Sequence, residues 1–331
     1  MRKLLLGLTI VAWLWTGTPV AAGDSSDVRA AVEESIALLQ RSGPTFVKSG
    51  ACTSCHHQSI PAMTVSIARQ RGLRVDETIA REQLAATARF AASIRERSLQ
   101  GVAVGGAADT VAYTLLGMAA EKYPPDAVTD ALIQYIKRLQ ARDGRWRAVA
   151  HRPPTEYSDI TATALGLRAL QLYGHEGQRA ASSERVKQAA AWLLRETPAA
   201  TEERAFQLLG LAWAKQGGTV IETGARALLA EQRADGGWAQ TSKMESDAYA
   251  TGLALVALHQ AGELEVNDPA YRRGVGYLLK TQFPDGSWHV KTRSIPIMPF
   301  FGSGFPHGHD QWISAFATGW AAMALSYTVE P

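Results

Sequence analysis

Two cysteines in 331 residues exclude a small disulfide-stapled framework, which draws its stability from several bridges. Strongly basic stretches are missing as well. Lys and Arg total 34 against 31 Asp and Glu, a net charge of +3, and Arg2 and Lys3 supply two of those charges. Nucleic-acid binding calls for a basic stripe and is not expected. No segment has the roughly 20 apolar residues that a bilayer span requires; the run from Leu4 to about Leu14 stops short and no later stretch qualifies. Strand-like alternation of period two is absent too, so a β-rich fold is not expected. What remains is 46% apolar, rich in Ala and Leu, a composition suited to packed helices.

The first residues form a distinct unit. Arg2 and Lys3 precede the apolar run, and Thr16-Gly17-Thr18-Pro19 leads to the small-residue site Val20-Ala21-Ala22. That pattern reads as a secretory signal peptide cut after Ala22. The expectation is residues 1–22 as signal, residues 23–331 as a single domain, and a periplasmic or secreted location.

A plan of about fifty residues recurs along the rest. Ala131 to Gln140 leads into Arg142-Asp143-Gly144-Arg145-Trp146; Ala225 to Gln232 leads into Ala234-Asp235-Gly236-Gly237-Trp238; Gly276 to Gln282 leads into Pro284-Asp285-Gly286-Ser287-Trp288. Each is an amphipathic helix ending in Gln, then an Asp-Gly turn, then Trp six residues after the Gln. Glycine ends such a helix well because it accepts the left-handed conformation. A second, small-residue helix follows each Trp, opening Ser158-Asp159-x3-Thr163, Ser246-Asp247-x3-Thr251 and Ile313-Ser314-x3-Thr318, with a weaker copy at Ala108-Asp109-x3-Tyr113. Helices that are apolar nearly all round belong inside a packed structure. Worn copies fill the gaps: 28–40, 76–97 and 184–195 read as outer helices, 107–121 and 202–215 as inner ones. Six helix pairs result, and repeats of this length mean stacked units.

Gln-x5-Trp with an internal Asp-Gly-x-Trp resembles the QW repeats of squalene–hopene cyclases, and the unit is similar to the repeat of protein prenyltransferase β-subunits. The resemblance covers nearly all of residues 23–331 and implies an all-α fold, an α/α toroid with an inner and an outer ring. It implies that Gln140, Trp146, Gln232, Trp238, Gln282 and Trp288 tie neighbouring repeats together. It also implies an apolar cavity, lined here by Tyr113, Phe206, Tyr249, Phe316 and Trp320, able to take a hydrophobic, isoprenoid-like small molecule. The cyclases protonate an alkene with an aspartic acid in Asp-x-Asp-Asp-Thr-Ala; at 106–111 only the final Asp-Thr survives, with Ala108 in the acid's place. If the chain is a cyclase-like isomerase, Asp109, Asp159 or Asp247 must supply the acid. These residues equally suit helix capping. The prenyltransferases hold zinc with Asp-x-Cys and a distant His, and Asp-x-Cys does not occur here.

Both cysteines lie in Cys52-Thr53-Ser54-Cys55-His56-His57. Cys-x-x-Cys-His is the attachment pattern for c-type haem, two thioethers and an axial imidazole. The segment falls between the first outer and inner helices. A toroid closes by packing its last repeat on its first, so His307 and His309 from the long final loop should approach Cys52, Cys55, His56 and His57. Three chemistries fit. Haem c would use Cys52, Cys55 and His56, with His307, His309 or Met298 completing the iron. Zinc would use both thiolates and one or two of His56, His57, His307 and His309. A Cys52–Cys55 disulfide or dithiol would simply staple the loop. The functions in view are a redox or hydrophobic-ligand-binding protein with an unnamed redox partner, a terpene-cyclase-like isomerase, and a structural interaction toroid.

Overall fold

The computed structural model describes residues 25–50, 52–174 and 176–331, so residues 1–22, expected from sequence to be a signal peptide, lie outside the described residues. Helices alternate between two rings. The first pair is α1 (Ser25–Gly50) and α2 (Ile60–Gln70), the latter entered through a π-helical turn at Cys55–Ser59. Next come α3 (Glu77–Ser93) and its short continuation α4 (Arg95–Gln100), paired with α5 (Ala107–Ala120). The pairs α6 (Ala127–Leu139) with α7 (Asp159–Tyr173), and α8 (Arg179–Leu193) with α9 (Thr201–Trp213), follow. Last are α10 (Thr219–Leu229) with α11 (Ala248–Gln260), and α12 (Pro269–Thr281) with α13 (Gln311–Ser326).

The inner helices form a closed circuit. Each of α2, α5, α7, α9 and α11 packs on the next, α11 packs on α13, and α13 returns to α2. Their sequences explain the position. Residues 248–258 of α11 and 313–326 of α13 are buried without interruption, as small-residue, apolar helices must be. Gly252 shows how close the neighbours come: a Cβ there would meet the Trp320 carbonyl carbon at 2.6 Å. The outer helices keep an apolar face toward this ring and a charged face outward. The structure is therefore the expected all-α toroid of six helix pairs.

The recurring residues carry a recurring hydrogen-bond pattern. Gln140 Nε2 donates to Gly144 O and to Arg185 O of α8; Gln232 Nε2 donates to Gly236 O and to Ala270 O of α12. Gln282 Nε2 donates to Ala31 O of α1, 251 residues away, and so ties the last outer helix to the first. Trp146, Trp238 and Trp288 donate their indole N–H back to Ile136, Leu228 and Leu278. Their backbone N–H groups donate to the hydroxyls of Thr163, Thr251 and Thr318, which accounts for the recurring Thr of the inner helices. The turn glycines Gly144, Gly236 and Gly286 have φ of +101°, +89° and +85°. A Cβ on any of them would strike the backbone of the next outer helix within 2.6 Å.

Several expectations need correction. α1 does not end at Gln40 but runs to Gly50 with Pro44 inside it. Gln40 instead exchanges two hydrogen bonds with the backbone of Asp76. A two-residue antiparallel ladder pairs β1 (Trp238–Ala239) with β2 (Ser246–Asp247), too short to show as alternation in sequence. Most important, the ring axis is filled. Tyr113 and Tyr249 meet Phe316 edge-on at 5.6 and 5.9 Å, and Phe206 meets Trp320 at 6.1 Å. These five side chains are buried core rather than the lining of an open tunnel.

Candidate functional site

The cavity of interest lies where the inner helices begin. It has a volume of about 630 Å³ and is bounded by the Cys52–His57 segment, the starts of α5 and α13, the loop before α7 and the long final loop. Cys52, Cys55, His56, His309 and Met298 all line it. The two cysteines are free thiols. Phe46, Ile94, Val104, Phe301 and Trp312 supply apolar walls, and Arg97 and Arg152 place two guanidinium groups in the lining. Ile295, Ile297, Met298 and Phe300, 86%, 62%, 50% and 53% exposed, form its outer wall.

Local structure sets these side chains. Ser54 caps the π-helical turn by accepting from the His57 N–H at 3.0 Å. That turn places Cys55, His56 and His57 directly ahead of α2. His57 stacks on Phe46 with ring centroids 4.5 Å apart, and His56 meets Phe46 and Trp312 edge-on at 5.4 and 6.2 Å. Cys55 Sγ lies 3.9 Å from both His56 Nδ1 and Glu156 Oε1. Glu156 pairs with Arg152 at 3.7 Å, and the Arg152 guanidinium lies 3.9 Å over the Trp312 ring.

Burial governs protonation here. Desolvation pushes the Cys55 thiol well up, the Glu156 carboxylate adds to the push, and Arg152 opposes it. Cys52 is raised by desolvation as well. Desolvation lowers His56 far below its ordinary value, aided by His57 and Arg152, and brings His57 to about 3. Both imidazoles are neutral at pH 7 and keep a lone pair for ligation.

The structure brings together only part of the expected set. His309 reaches the cavity, its ring tilted against Phe300 with centroids 4.6 Å apart. His307 does not: its Nε2 is bonded to Ser287 Oγ at 2.8 Å and its ring stacks on His289 at 4.8 Å. Its left-handed backbone, φ +77°, belongs to the turn that aims it there. Both ring nitrogens of His57 are buried without a hydrogen-bond partner. Among the described residues, no three His, Cys, Asp or Glu side chains are arranged to hold a metal ion.

The three aspartates separate by environment. Asp247 caps α11 by accepting from Ala250 N, and accepts from Gln240 as well. Asp159 accepts from Ala148 N and lies 3.5 Å from Arg145, while its neighbour Ser158 does the capping. Asp109 does neither. Both its oxygens are buried with no partner, and desolvation, then Glu156 and Asp159, push its carboxyl well up. None of the three lines the mouth cavity.

Sequence reasoning passed over Glu202, Arg152, Glu156 and Trp312. Glu202 starts α9, and its Oε2 is buried and unpartnered; its place, matching Asp109, Asp159 and Asp247 in other repeats, was the available signal. Arg152 and Glu156 sit in an irregular loop, where no periodicity marks them.

A family model described as the squalene–hopene cyclase C-terminal domain matches residues 203–327. A squalene–hopene cyclase from Bradyrhizobium diazoefficiens is 25% identical over 242 residues, which cover 58% of this chain and 34% of that protein. The chain thus spans about a third of the length of this curated relative. Among solved structures, a protein from Actinoplanes has a TM-score of 0.59 at 16% identity, covering 92% of this chain and 99% of its own. A variant of the type II terpene cyclase MstE from Scytonema, in complex with merosterolic acid A, has a TM-score of 0.59 at 14% identity, covering 92% and 98%. A possible GH105 family member from Salmonella enterica gives 0.55 at 12% identity over 95% and 96%. The structural likenesses show the fold alone: a cyclase-like α/α toroid.

Proposed function

We propose that this cyclase-like toroid carries a haem that would be held by thioethers to Cys52 and Cys55, with His56 to ligate its iron, and serves redox or ligand-binding chemistry outside the cytoplasm. One observation carries the reading: both thiols and the neighbouring imidazole line the same open, apolar-walled cavity. The residues present suit the group. Free thiols at the attachment spacing would anchor it, His56 is uncharged, and Phe46, Ile94, Val104 and Trp312 would enclose an apolar macrocycle. Arg97 and Arg152 would answer its carboxylates. Met298 and His309, which line the same cavity, are the candidates for a second ligand. When bound, the group supplies one-electron exchange or ligand binding at iron. The protein's part is to hold it, exclude water and set the local charge through Arg152 and Glu156. Export fits this reading, because two cysteines beside a signal-like segment are usable for attachment in an oxidising compartment.

Zinc is the weaker reading. It would need four ligands converging within bonding distance, and among the described residues no side chains are so arranged. An isomerase reading would draw on Asp109, which lies outside the cavity lining. The apolar walls also suit a hydrophobic small molecule beside the proposed group.

The test is covalent. The chain is coexpressed with a cytochrome c maturation system, denatured, stained for haem and alkylated with a thiol reagent. Wild type should stain and resist alkylation, and a Cys52→Ser, Cys55→Ser double variant should not stain. An unstained wild type with both thiols alkylated overturns the proposal.

A further inference from the structure

On the outside of the toroid, far in sequence from both cysteines, a groove of about 500 Å³ runs between α4, α6 and α8. Lys137, Arg138 and Arg185 line it with Gln134, Gln178 and Ser98, and among the described residues no acidic side chain does. Among the described residues none of the three cations forms an ion pair. Lys137 is 7% exposed, and among the described residues its ammonium donates only to the neutral amide oxygen of Gln178, at 2.7 Å. Gln134 Nε2 donates to that same oxygen at 3.4 Å. One neutral oxygen thus collects donors that would suit an anionic one.

Neutral neighbours hold Lys137 and Arg185 in place. Arg185 donates to Lys137 O and to Gln140 Oε1, both at 3.0 Å. Arg138 lies over Gly101, where a Cβ would strike its guanidinium at 2.7 Å; Gly101 ends α4 at φ +69°. All three gather near the C-terminus of α6, whose dipole contributes about half a negative charge. That offsets a small part of three positive charges. Asp130 raises the Lys137 pKa only partly; desolvation and then Arg185 lower it overall. Buried charges are normally paired, so among the described residues the groove is short of a counter-charge.

We propose that this groove binds an oxyanion of the phosphate class, with Lys137 as its buried contact and Arg138 and Arg185 as its walls. The lining offers one ammonium, two guanidinium groups and two amides as donors, while the Ser98 hydroxyl is already given to Ile94 O. Displacement of the Gln178 amide oxygen by a phosphate oxygen would exchange a neutral acceptor for a charged one, and charge-assisted bonds are about twice as strong. The source can be free phosphate or a lipid headgroup. The site is independent of the mouth cavity and of anything bound there.

The experiment is calorimetry of the full chain with inorganic phosphate in a phosphate-free buffer, paired with thermal melting. Wild type should give a saturable one-site heat and a rise in melting temperature. Lys137→Met, which removes an uncompensated buried charge, should melt no lower than wild type without phosphate and bind at least about tenfold more weakly. Arg138→Gln should weaken binding with the fold intact. Cosedimentation with phosphatidylcholine vesicles, with and without phosphatidic acid, separates the sources: Lys137-dependent capture by the acidic vesicles points to a headgroup, and response to free phosphate alone points to the soluble ion. Silence toward both, or an equal response in Lys137→Met, overturns the proposal.

Discussion

Asp109 is 0% exposed with both oxygens unpartnered, so its carboxyl is kept neutral by its surroundings rather than by a bond. Burial is the main cause, with Glu156 and Asp159 adding to it. A carboxyl whose folded pKa is raised gives its full stability below about pH 4, where it is protonated in both states. That stability is lost as pH rises toward the folded value, because only the unfolded chain releases the proton. Asp109→Asn removes the linkage without breaking a hydrogen bond. Its melting temperature should match wild type near pH ~4 and exceed it at neutral pH; a large loss at every pH would show that Asp109 has a partner. Glu202 is raised by desolvation as well. Asp247 reaches about 6, so its own contribution falls away between about pH 4 and that value.

The helix-to-turn unit was the most legible part of the chain because its chemistry is local. Gln, Asp-Gly, Trp and Thr recur at fixed offsets because each offset closes a particular bond: Gln232 to Gly236 and Ala270, Trp238 to Leu228 and Thr251. Gly236→Ala should cost about 2 kcal/mol or more, combining a left-handed φ with a Cβ driven into Arg273 O. Urea denaturation reads this as a lower midpoint, and an unmoved midpoint would mean the turn yields. Thr251→Val should cost about 1–3 kcal/mol by leaving the buried Trp238 N–H unpaired, measured the same way. The end of α1 was not legible. Pro44 reads as a helix stop, since it lacks an N–H and crowds the residue four before it, yet α1 continues to Gly50. Whether the axis is open was not legible either. Tyr113, Phe206, Tyr249, Phe316 and Trp320 were assigned correctly to inner helices, but only their mutual packing shows that they fill the ring. Sequence spacing places a residue on a helix and does not say how close the opposite helix comes.

Closure joins the two ends of the chain at the whole-molecule scale. Gln282 and Gly286 bond to Ala31 and Ser35, and α13 packs on α1. Gln282→Ala should loosen that seam, so hydrogen exchange should quicken in α1 and leave α6 unchanged; uniform exchange would mean the seam carries no local stability. Closure also assembles the mouth cavity, where Cys52, Cys55 and His56 meet Met298, His309 and Trp312 from the other end. The Cys-x-x-Cys-His part was visible in sequence as a contiguous motif. The residues that share its cavity were partly visible, His309 and Met298 from ring logic, whereas His307 turned aside to Ser287 and His289. Arg152 and Glu156 come from a loop between rings, where nothing in sequence aims a side chain. The account stands on the cavity and its thiols accepting haem. The pyridine haemochrome spectrum of the purified, denatured protein, matured in an export-competent host, tests this most directly. A spectrum of the two-thioether c type, lost in the Cys52→Ser, Cys55→Ser variant, is the expected result; a colourless wild-type protein would contradict it.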